Sequence, residues 1–397
     1  MSPSMSPAAD LARSDLSAAA APRIARLILK DFRSYAALDL AVTAPLVALT
    51  GENGAGKTNA LEAISLFTPG RGLRRAELTE MARIGGAGNF SASIVLDESA
   101  GETHLGTGID PAAVGEVVSR RCRIDQETVP SPTAFADHIR VVWLTPALDG
   151  LFSGPAGDRR RYLDRLVLAV DASHGGRVNA FERALRARNR LLEEPAPDRS
   201  WLDAVEREVA ELGVAVAAAR RETVDRLAAL ALAARDGESP FPWANLWLSG
   251  EIEELVGTLA ALDVEDHFRA LLRDGRPRDR AAGRALSGPQ TADLVVRHGP
   301  KDAEAARCST GEQKALLIGL VLAHARLVAA MSGIAPFVLL DEIAAHLDPR
   351  RRAALFEALA ALGGQVWMTG ADAALFGNLP ETAQRFLVTP GRIAPLQ

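Results

Sequence analysis

The 397-residue sequence has few cysteines, few lysines and no long uninterrupted apolar run. Its two cysteines, Cys122 and Cys308, stand in no CxxC or Cys/His pattern, which argues against a disulfide framework or a zinc site and fits a reducing cytosol. Charged residues interrupt the alanine- and leucine-rich stretches before the roughly 20 residues that a membrane span needs. We therefore expect a cytoplasmic protein with no transmembrane helix and no membrane partner.

The charge of the chain does not identify a partner. The formal net charge is −5. Arginine supplies almost all of the basic residues, and the lysines are Lys30, Lys57, Lys301 and Lys314. The arginine cluster in 159–165 is more typical of a solvated helix face than of a DNA contact. Composition therefore neither indicates nor excludes a nucleic-acid partner.

The residue pattern divides the chain into four parts. Residues 1–22 lack a cationic start followed by an apolar block, so they are not a secretory signal, and we predict a disordered tail. Residues 23–150 predict short strands with an antiparallel β layer. Helix formers dominate 151–287 and predict a helical arm that ends in a loop rich in Arg, Gly and Pro at 273–288. Strand and helix patterns alternate again in 288–397, so we expect an α/β fold whose sheet domain is split by the arm.

The strongest motif fits the GxxxxGK[ST] phosphate loop. It consists of Gly51, Glu52, Asn53, Gly54, Ala55, Gly56, Lys57 and Thr58. A short apolar run precedes it and an apolar helical pattern follows it, which is the context that this motif requires; an ordinary glycine turn is the weaker interpretation. The loop backbone would surround the phosphates of ATP, Lys57 would reach the terminal phosphates, and the Thr58 hydroxyl would bind Mg²⁺.

The second motif is an apolar run, 337–340, that ends in Asp341 and Glu342. Ligands of parallel sheets sit at the carboxyl ends of the strands. Acids commonly end strands, so the pattern is weak alone, but beside a phosphate loop it predicts Asp341 as a Mg²⁺ ligand. Glu342 would then be the catalytic base that orients or deprotonates the attacking water.

The third motif is Ser309-Thr310-Gly311-Glu312-Gln313-Lys314, which precedes a helical pattern and the acidic pair. As local structure it is a serine N-cap with a glutamate three residues later. The order of the three motifs resembles that of ATP-binding-cassette ATPases. That resemblance implies an ABC-type P-loop ATPase head with an antiparallel β subdomain and an inserted helical arm. It also implies an ATP-dependent homodimer in which Ser309, Gly311 and Gln313 contact the ATP bound by the other subunit.

The segment His346-Leu347-Asp348, which follows the acidic pair, resembles the loop that crosses the dimer interface in cassette ATPases. Two other points separate the chain from transport ATPases. Thr369 stands where cassette transporters carry a switch histidine, and no residue is assigned as the family's metal-contacting glutamine.

Several longer stretches resemble the RecF family of bacterial recombination mediators, and together they cover nearly the whole chain after residue 23. They are LILKDFRSYAALDL, LTGENGAGKTNALEAI, GPAGDRRRYLDRLV, SGPQTADLVV, STGEQKALLIGLVLAHA and VLLDEIAAHLD. One departure is Pro289-Gln290-Thr291, where a His-Arg pair is expected, and it puts any role of that segment in doubt.

The RecF resemblance implies a DNA repair and replication protein that binds ATP, dimerises and binds DNA at gaps and at single-strand/duplex junctions. It implies RecR and RecO as partners in loading recombinase, and a weak, DNA-stimulated ATPase. It also places Arg33 and Ser34 near the nucleotide, although an exposed turn between two strands is the alternative. Arg159, Arg160, Asp164 and Arg165 are expected to serve a structural or interface network.

Three other protein classes share some of these features. A transport ATPase subunit would need far fewer residues between the phosphate loop and Ser309, and a chromosome-organising ATPase head would need hundreds of heptad residues in place of the arm. The third class is a binding adaptor in which ATP only holds the structure together and is hardly hydrolysed. Glu342 argues against this class only in part.

Overall fold

The computed structural model describes residues 20–111, 118–233, 235, 240–343 and 347–396. In chain order its strands are β1 (Arg23–Phe32), β2 (Tyr35–Ala41), β3 (Leu46–Thr50), β4 (Phe90–Glu98), β5 (Gly101–Ile109), β6 (Arg121–Ile124), β7 (Glu127–Val129), β8 (Val141–Leu144), β9 (Ala244–Ser249), β10 (Asp293–His298), β11 (Ala303–Glu304), β12 (Phe337–Leu340), β13 (Val366–Gly370), β14 (Gln384–Thr389) and β15 (Arg392–Pro395). The α-helices are α1 (Lys57–Ser65), α2 (Ala156–Val170), α3 (His174–Glu193), α4 (Arg199–Ala233), α5 (Glu251–Val256), α6 (Ala261–Ala282), α7 (Thr310–Ser332) and α8 (Pro349–Ala360).

The first of two compact units draws on the stretches Met1–Asp149, Ala234–Pro242 and Ser309–Gln397. One of its sheets has the strand order β2-β1-β4-β5-β6-β7 and is antiparallel throughout. The other has the order β15-β14-β3-β13-β12-β8, and all of its neighbours are parallel except β15. The expected α/β fold with an antiparallel β layer is therefore confirmed.

One hydrophobic core joins both sheets to α1. Leu27 and Ile94 of the antiparallel sheet, Leu49 of β3 and Ile64 of α1 are all fully buried in it. Burying such a side chain stabilises the fold by about 1.5–3 kcal/mol. Since β3 is buried along its whole length and leads through the phosphate loop into α1, this core fixes the position of the loop at the carboxyl end of the strand.

The second unit draws on Gly150–Ala233 and Trp243–Cys308, and it contains α2–α6 and a three-stranded sheet of order β11-β10-β9. The arm was expected to end at residue 287, but the unit continues to Cys308. The difference arises because β10 pairs antiparallel with β9, which brings Val296 opposite Leu246 inside the unit.

The predicted loop at 273–288 is wrong for residues 273–282, since α6 continues through Pro277 to Ala282. A buried ion network holds this part of the helix. Arg188 is 0% exposed and donates to Asp279 at 2.7 Å and to Glu206 at 3.0 Å. Arg276 also donates to Glu206, at 2.6 Å. The composition predicted a loop, but buried carboxylates pair with these arginines and hold the segment in the helix.

The arginine cluster in 159–165 makes contacts within the second unit, in agreement with the expected structural network. Arg159 donates to Asp293 at 2.7 Å, and Arg160 donates to the carbonyl oxygen of Ala292 at 2.6 Å. Arg165 lies over the ring of Tyr162, with 5.1 Å between its guanidinium carbon and the ring centre.

Asp164 is the acidic member of the same network. It accepts hydrogen bonds from Arg220 at 2.8 Å and from His174 at 2.9 Å. Burial alone would raise the pKa of Asp164, but the hydrogen bonds from His174 and Arg220 outweigh it and lower the pKa to about 2. Arg220 also donates to the carbonyl oxygen of Pro289 at 2.8 Å, so the Pro289-Gln290-Thr291 segment is tied to this network through its backbone.

Helix α7 is the one described helix that is long and apolar enough to cross a membrane, with a mean hydropathy of 1.9 over its most apolar window. Of that window, 72% is buried inside the protein. A buried core helix of the first unit accounts for this composition.

Two sequence predictions fall mainly outside the described residues. Residues 1–19 of the predicted tail are not described, whereas the backbone N–H of Ala20 donates to the carbonyl oxygen of Gly333 at 2.9 Å. His346 of the predicted interface loop also lies outside the described residues, and Asp348 of that loop caps α8 by accepting from the N–H of Arg351.

Candidate nucleotide-binding site

Three neighbouring parallel strands bring the predicted site residues to one edge of a sheet. β13 lies between β3 and β12, and all three run in the same direction. Their carboxyl ends carry the phosphate loop after Thr50, the Asp341–Glu342 pair after Leu340, and Thr369 near the end of β13. This strand order brings together residues more than 280 positions apart, and Thr58 donates a hydrogen bond to Asp341.

The phosphate loop occupies the turn between β3 and α1. Gly51, Ala55, Gly56 and Lys57 are buried, whereas the three residues at 52–54 are exposed. Gly56 is the N-cap of α1 with φ 115°, and a Cβ at this position would meet the Ser34 hydroxyl oxygen at 2.7 Å. A side chain at 56 would thus be strained and crowded, so glycine is required there. The exposed tip and the N-terminus of α1 form the kind of backbone cradle that binds phosphates.

Lys57 is held at the start of α1 with 4% of its side chain exposed. Its ammonium donates to the carbonyl oxygens of Gly51 at 2.7 Å and Glu52 at 3.0 Å, and lies 3.3 Å from the Glu342 carboxylate. The structure therefore brings the predicted phosphate-binding cation next to the predicted base.

Asp341 accepts two hydroxyl hydrogen bonds at the same carboxylate oxygen. Thr58 and Thr369 both donate to its Oδ1 at 2.8 Å. Thr369 in turn accepts the backbone N–H of Glu342 at 2.9 Å. Oxygen ligands of this kind, a threonine hydroxyl and a carboxylate, suit Mg²⁺. The residues present therefore fit the predicted metal.

Glu342 adopts φ 56°, a left-handed backbone conformation that is uncommon for a residue other than glycine. Such strain persists only where neighbouring contacts hold it. The hydrogen bond from its N–H to Thr369 is one such contact. The turn carries the Glu342 carboxylate toward Lys57.

The turn between β1 and β2 packs against the phosphate loop through Ser34 and Tyr35. Asn59 of α1 donates to the Ser34 hydroxyl at 2.9 Å, and the buried Tyr35 hydroxyl donates to the carbonyl oxygen of Gly56 at 3.0 Å. Burial raises the pKa of Tyr35 well above its usual value, so this hydroxyl remains a donor. Ser34 thus lies beside the phosphate loop, and its expected place near the nucleotide stays a prediction.

Arg33 is paired with a carboxylate rather than left free beside the loop. It donates to Glu62 at 2.7 and 2.9 Å, and to the carbonyl oxygen of Glu80 at 2.7 Å. Arg74 also donates to Glu62 at 3.0 Å, and Glu62 is 0% exposed. Sequence reasoning missed Glu62, although a glutamate five residues after the phosphate-loop lysine on an otherwise apolar helix face was a visible signal.

The segment Ser309–Lys314 begins α7. Ser309 caps the helix, accepting from the N–H of Glu312 at 3.4 Å while its own N–H donates to the Glu312 carboxylate at 3.1 Å. Ser309 and Gly311 are exposed, and a Cβ on Gly311 would meet open space. Gln313 is only 7% exposed, because it lies one helical turn further on, toward the core. Two of the three residues predicted to contact the second subunit's ATP are therefore exposed to solvent, and the third is buried.

The site combines a phosphate loop, an acidic pair after a parallel strand of the same sheet, and a capped helix that precedes that strand in sequence. These features define the class of the protein: an ABC-type P-loop ATPase head with an antiparallel sheet and an inserted unit. The family model described as "RecF/RecN/SMC N terminal domain" matches residues 23–388. The chain belongs to the RecF family of DNA replication and repair proteins.

Close relatives cover almost the whole chain. "DNA replication and repair protein RecF" of Rhizobium meliloti (strain 1021) is 52% identical over 371 residues, which are 94% of this chain and 98% of the relative. The protein of the same description from Agrobacterium fabrum is 54% identical over 371 residues, covering 93% and 98%. A solved structure of "the recombination mediator protein RecF-ATPrS in RecFOR pathway" has a TM-score of 0.83 at 17% identity and covers 96% of this chain and all of that one. At this identity the likeness shows a shared fold.

Proposed function

We propose that the chain is a cytoplasmic, ATP-operated switch that dimerises on binding ATP, binds DNA in the dimeric state and resets by slow hydrolysis. The observation that carries the proposal is the hydrogen-bonded group at the strand ends, in which Thr58 and Thr369 share Asp341 and Thr369 also holds Glu342. A purely structural loop would not need a base beside the phosphate-loop lysine.

In this proposal each side chain has a distinct task. The N–H groups of Gly51–Thr58 and the ammonium of Lys57 bind the triphosphate. Mg²⁺, held by Thr58 and Asp341, would neutralise charge on the phosphate oxygens when bound. Glu342 accepts the proton of the attacking water, and Thr369 fixes the backbone that carries Glu342. Ser34 and Tyr35 support the loop from the side.

The exposed segment at Ser309 and Gly311 supports a composite site. In the apposed dimer, the N-terminus of α7 from one subunit would point its N–H groups toward the phosphate bound by the other. Each dimer would then hold two equivalent sites, as two-fold symmetry requires. Each ATP would then be contacted by both subunits and form part of their interface, so dimerisation should depend on ATP.

DNA at gaps and at single-strand/duplex junctions is the proposed partner, with RecR and RecO as protein partners in recombinase loading. Support comes from the relatives named for DNA replication and repair and from the solved structure described as a recombination mediator of the RecFOR pathway. With a net charge of −5, DNA contact must be confined to local basic surface.

Gel-shift titrations with gapped DNA test this function. ATP should support binding, ADP and no nucleotide should not, and affinity should fall steeply between low and high salt as counterions are released. ATP turnover with and without DNA is measured in parallel. Tight DNA binding with no turnover would favour the adaptor that uses ATP only as a clip, and equal binding in all three nucleotide conditions would contradict the switch.

A further inference from the structure

A stripe of three arginines, Arg183, Arg186 and Arg190, runs along the outward face of α3 in the second unit; we name it the α3 stripe. All three residues are exposed, and the side chain of Arg186 is 64% exposed. Their spacing of three and four residues places them on one helix face. The opposite face carries the buried residues Phe181, Ala184, Arg188 and Leu191. The stripe therefore points away from the core of the unit.

The α3 stripe is not explained by internal ion pairing. Among the described residues, Arg183 and Arg190 have no hydrogen-bond or ion-pair partner, and Arg186 has only a distant surface pair with Glu182 at 3.5 Å. Some other exposed arginines have a carboxylate partner, for example Arg307 with Glu304 at 2.9 Å and Arg23 with Asp97 at 3.2 Å. Surface pairs of this kind contribute about 0–1 kcal/mol, so stability does not require the stripe either.

The charge of α3 is of one sign along the stripe. From 183 to 190 the helix contains no acidic residue, and Glu182 precedes this stretch. The neighbouring helix α4 carries exposed charges of both signs, among them Arg207, Glu208 and Glu211. The α3 stripe therefore produces a local positive field on a chain whose net charge is negative.

We infer that the α3 stripe is a contact surface for the phosphate backbone of DNA. Arg183 and Arg190 are seven residues apart, so the stripe is about 10 Å long. A duplex segment of that length carries roughly six phosphates, which is enough to engage three guanidinium groups. None of the large exposed apolar residues lies on α3, so the surface lacks the apolar anchor on which protein interfaces rely. Electrostatic, sequence-independent contact with a polyanion fits this chemistry.

The inference rests on the DNA binding proposed above and adds the surface responsible for it. The test compares four full-length proteins: wild type, the triple variant Arg183→Gln/Arg186→Gln/Arg190→Gln, the same three positions changed to Lys, and a matched control. The control is Arg23→Gln/Arg121→Gln/Arg307→Gln, which removes the same charge from exposed arginines that do have carboxylate partners. Gln and Lys both suit a helix, and circular dichroism and binding of a fluorescent ATP analogue verify the fold.

The probe is a fluorescently labelled gapped DNA duplex, titrated at several salt concentrations with a slowly hydrolysed ATP analogue. We expect the glutamine triple variant to lose about tenfold or more in affinity and the salt slope to fall by up to about three, roughly one for each lost phosphate contact. The lysine variant and the control should stay within about threefold of wild type, since lysine keeps the charge.

The outcomes separate the two proposals. If wild type fails to bind the DNA, the proposed function fails and this inference with it. If wild type binds and the glutamine variant binds equally well with an unchanged salt slope, only the α3 stripe is overturned, and an acidic protein becomes the candidate occupant of that surface. An equal loss in the matched control would also overturn it, because net charge alone would then explain the effect.

Discussion

The hydroxyl of Thr369 donates to Asp341 at 2.8 Å, and its oxygen accepts the N–H of Glu342 at 2.9 Å. A single side chain that is 1% exposed thus connects the proposed metal ligand to the proposed base. Glu342 is held in a left-handed conformation beside it. The resemblance to cassette ATPases places Thr369 where the transporters among them carry a switch histidine, and this chain has a short hydroxyl side chain there instead.

Thr369→Val should lower the kcat of ATP hydrolysis by about tenfold and change the KM for ATP little. The substitution keeps the shape but leaves the Glu342 N–H without its acceptor, at a cost of about 1–3 kcal/mol. Thr369→Ser keeps the hydroxyl and should retain most of the activity. Steady-state hydrolysis assays measure both variants. A valine variant that turns over ATP like wild type would exclude the positioning role.

Glu342→Gln should bind ATP and remain as a dimer for much longer than wild type. The substitution removes the base but keeps the size of the side chain and the backbone hydrogen bond to Thr369. Sedimentation after addition of ATP follows the dimer, and Glu381→Gln, an exposed acid of the same unit, is the control. Normal hydrolysis by Glu342→Gln would rule it out as the base.

Lys57→Ala should lose ATP-dependent dimerisation, because a buried triphosphate would lack its fixed cation. Light scattering with and without ATP measures the association. Lys30→Ala, which removes an exposed lysine of β1, should dimerise normally. If Lys57→Ala dimerised at the same ATP concentrations as wild type, Lys57 could not be the residue that binds the triphosphate.

Asp164→Asn should destabilise the second unit by roughly 2 kcal/mol at neutral pH, since the pKa of Asp164 is lowered to about 2 in the folded protein. A carboxyl whose folded pKa is lowered stabilises the fold above its unfolded pKa, so this contribution should be lost as pH falls from about 4 to 2. Urea unfolding at several pH values measures it. Asp225→Asn, which removes an exposed partner of Arg221, should cost under about 1 kcal/mol. Equal effects of the two variants would contradict a special role for Asp164.

Local patterns predicted the first unit well and the second unit less well. The phosphate loop and the run ending in Asp341 have fixed spacing, so their strands and loops could be placed from residue types alone. The helical end of α6 could not be predicted, because its stability depends on Arg276 pairing with Glu206, which is 70 residues away. The sheet of β9 and β10 is equally a product of distant pairing.

The sequence named the members of the candidate site but not the contacts between them. The motif spacing identified Thr58, Asp341 and Glu342, and the structure brings them together. No spacing rule could reveal that the Thr369 hydroxyl bonds both Asp341 and the N–H of Glu342. Nor could it reveal that the Arg33 guanidinium pairs with the Glu62 carboxylate. Both contacts depend on which strands lie side by side, and the sequence does not state that order.

A mixing experiment tests the composite dimer site most directly. Ser309→Arg should abolish hydrolysis while the monomer still binds ATP, because in the proposed dimer the exposed Ser309 contacts the nucleotide of the partner subunit. Lys57→Ala should be unable to use its own phosphate loop, and its homodimers should not form. In a mixed dimer both lesions fall in the same composite site, and the other site is intact. Hydrolysis should therefore reappear on mixing, at roughly a quarter of wild type if pairing is random and the sites act independently. A Ser309→Arg protein that hydrolyses ATP normally by itself would contradict the account.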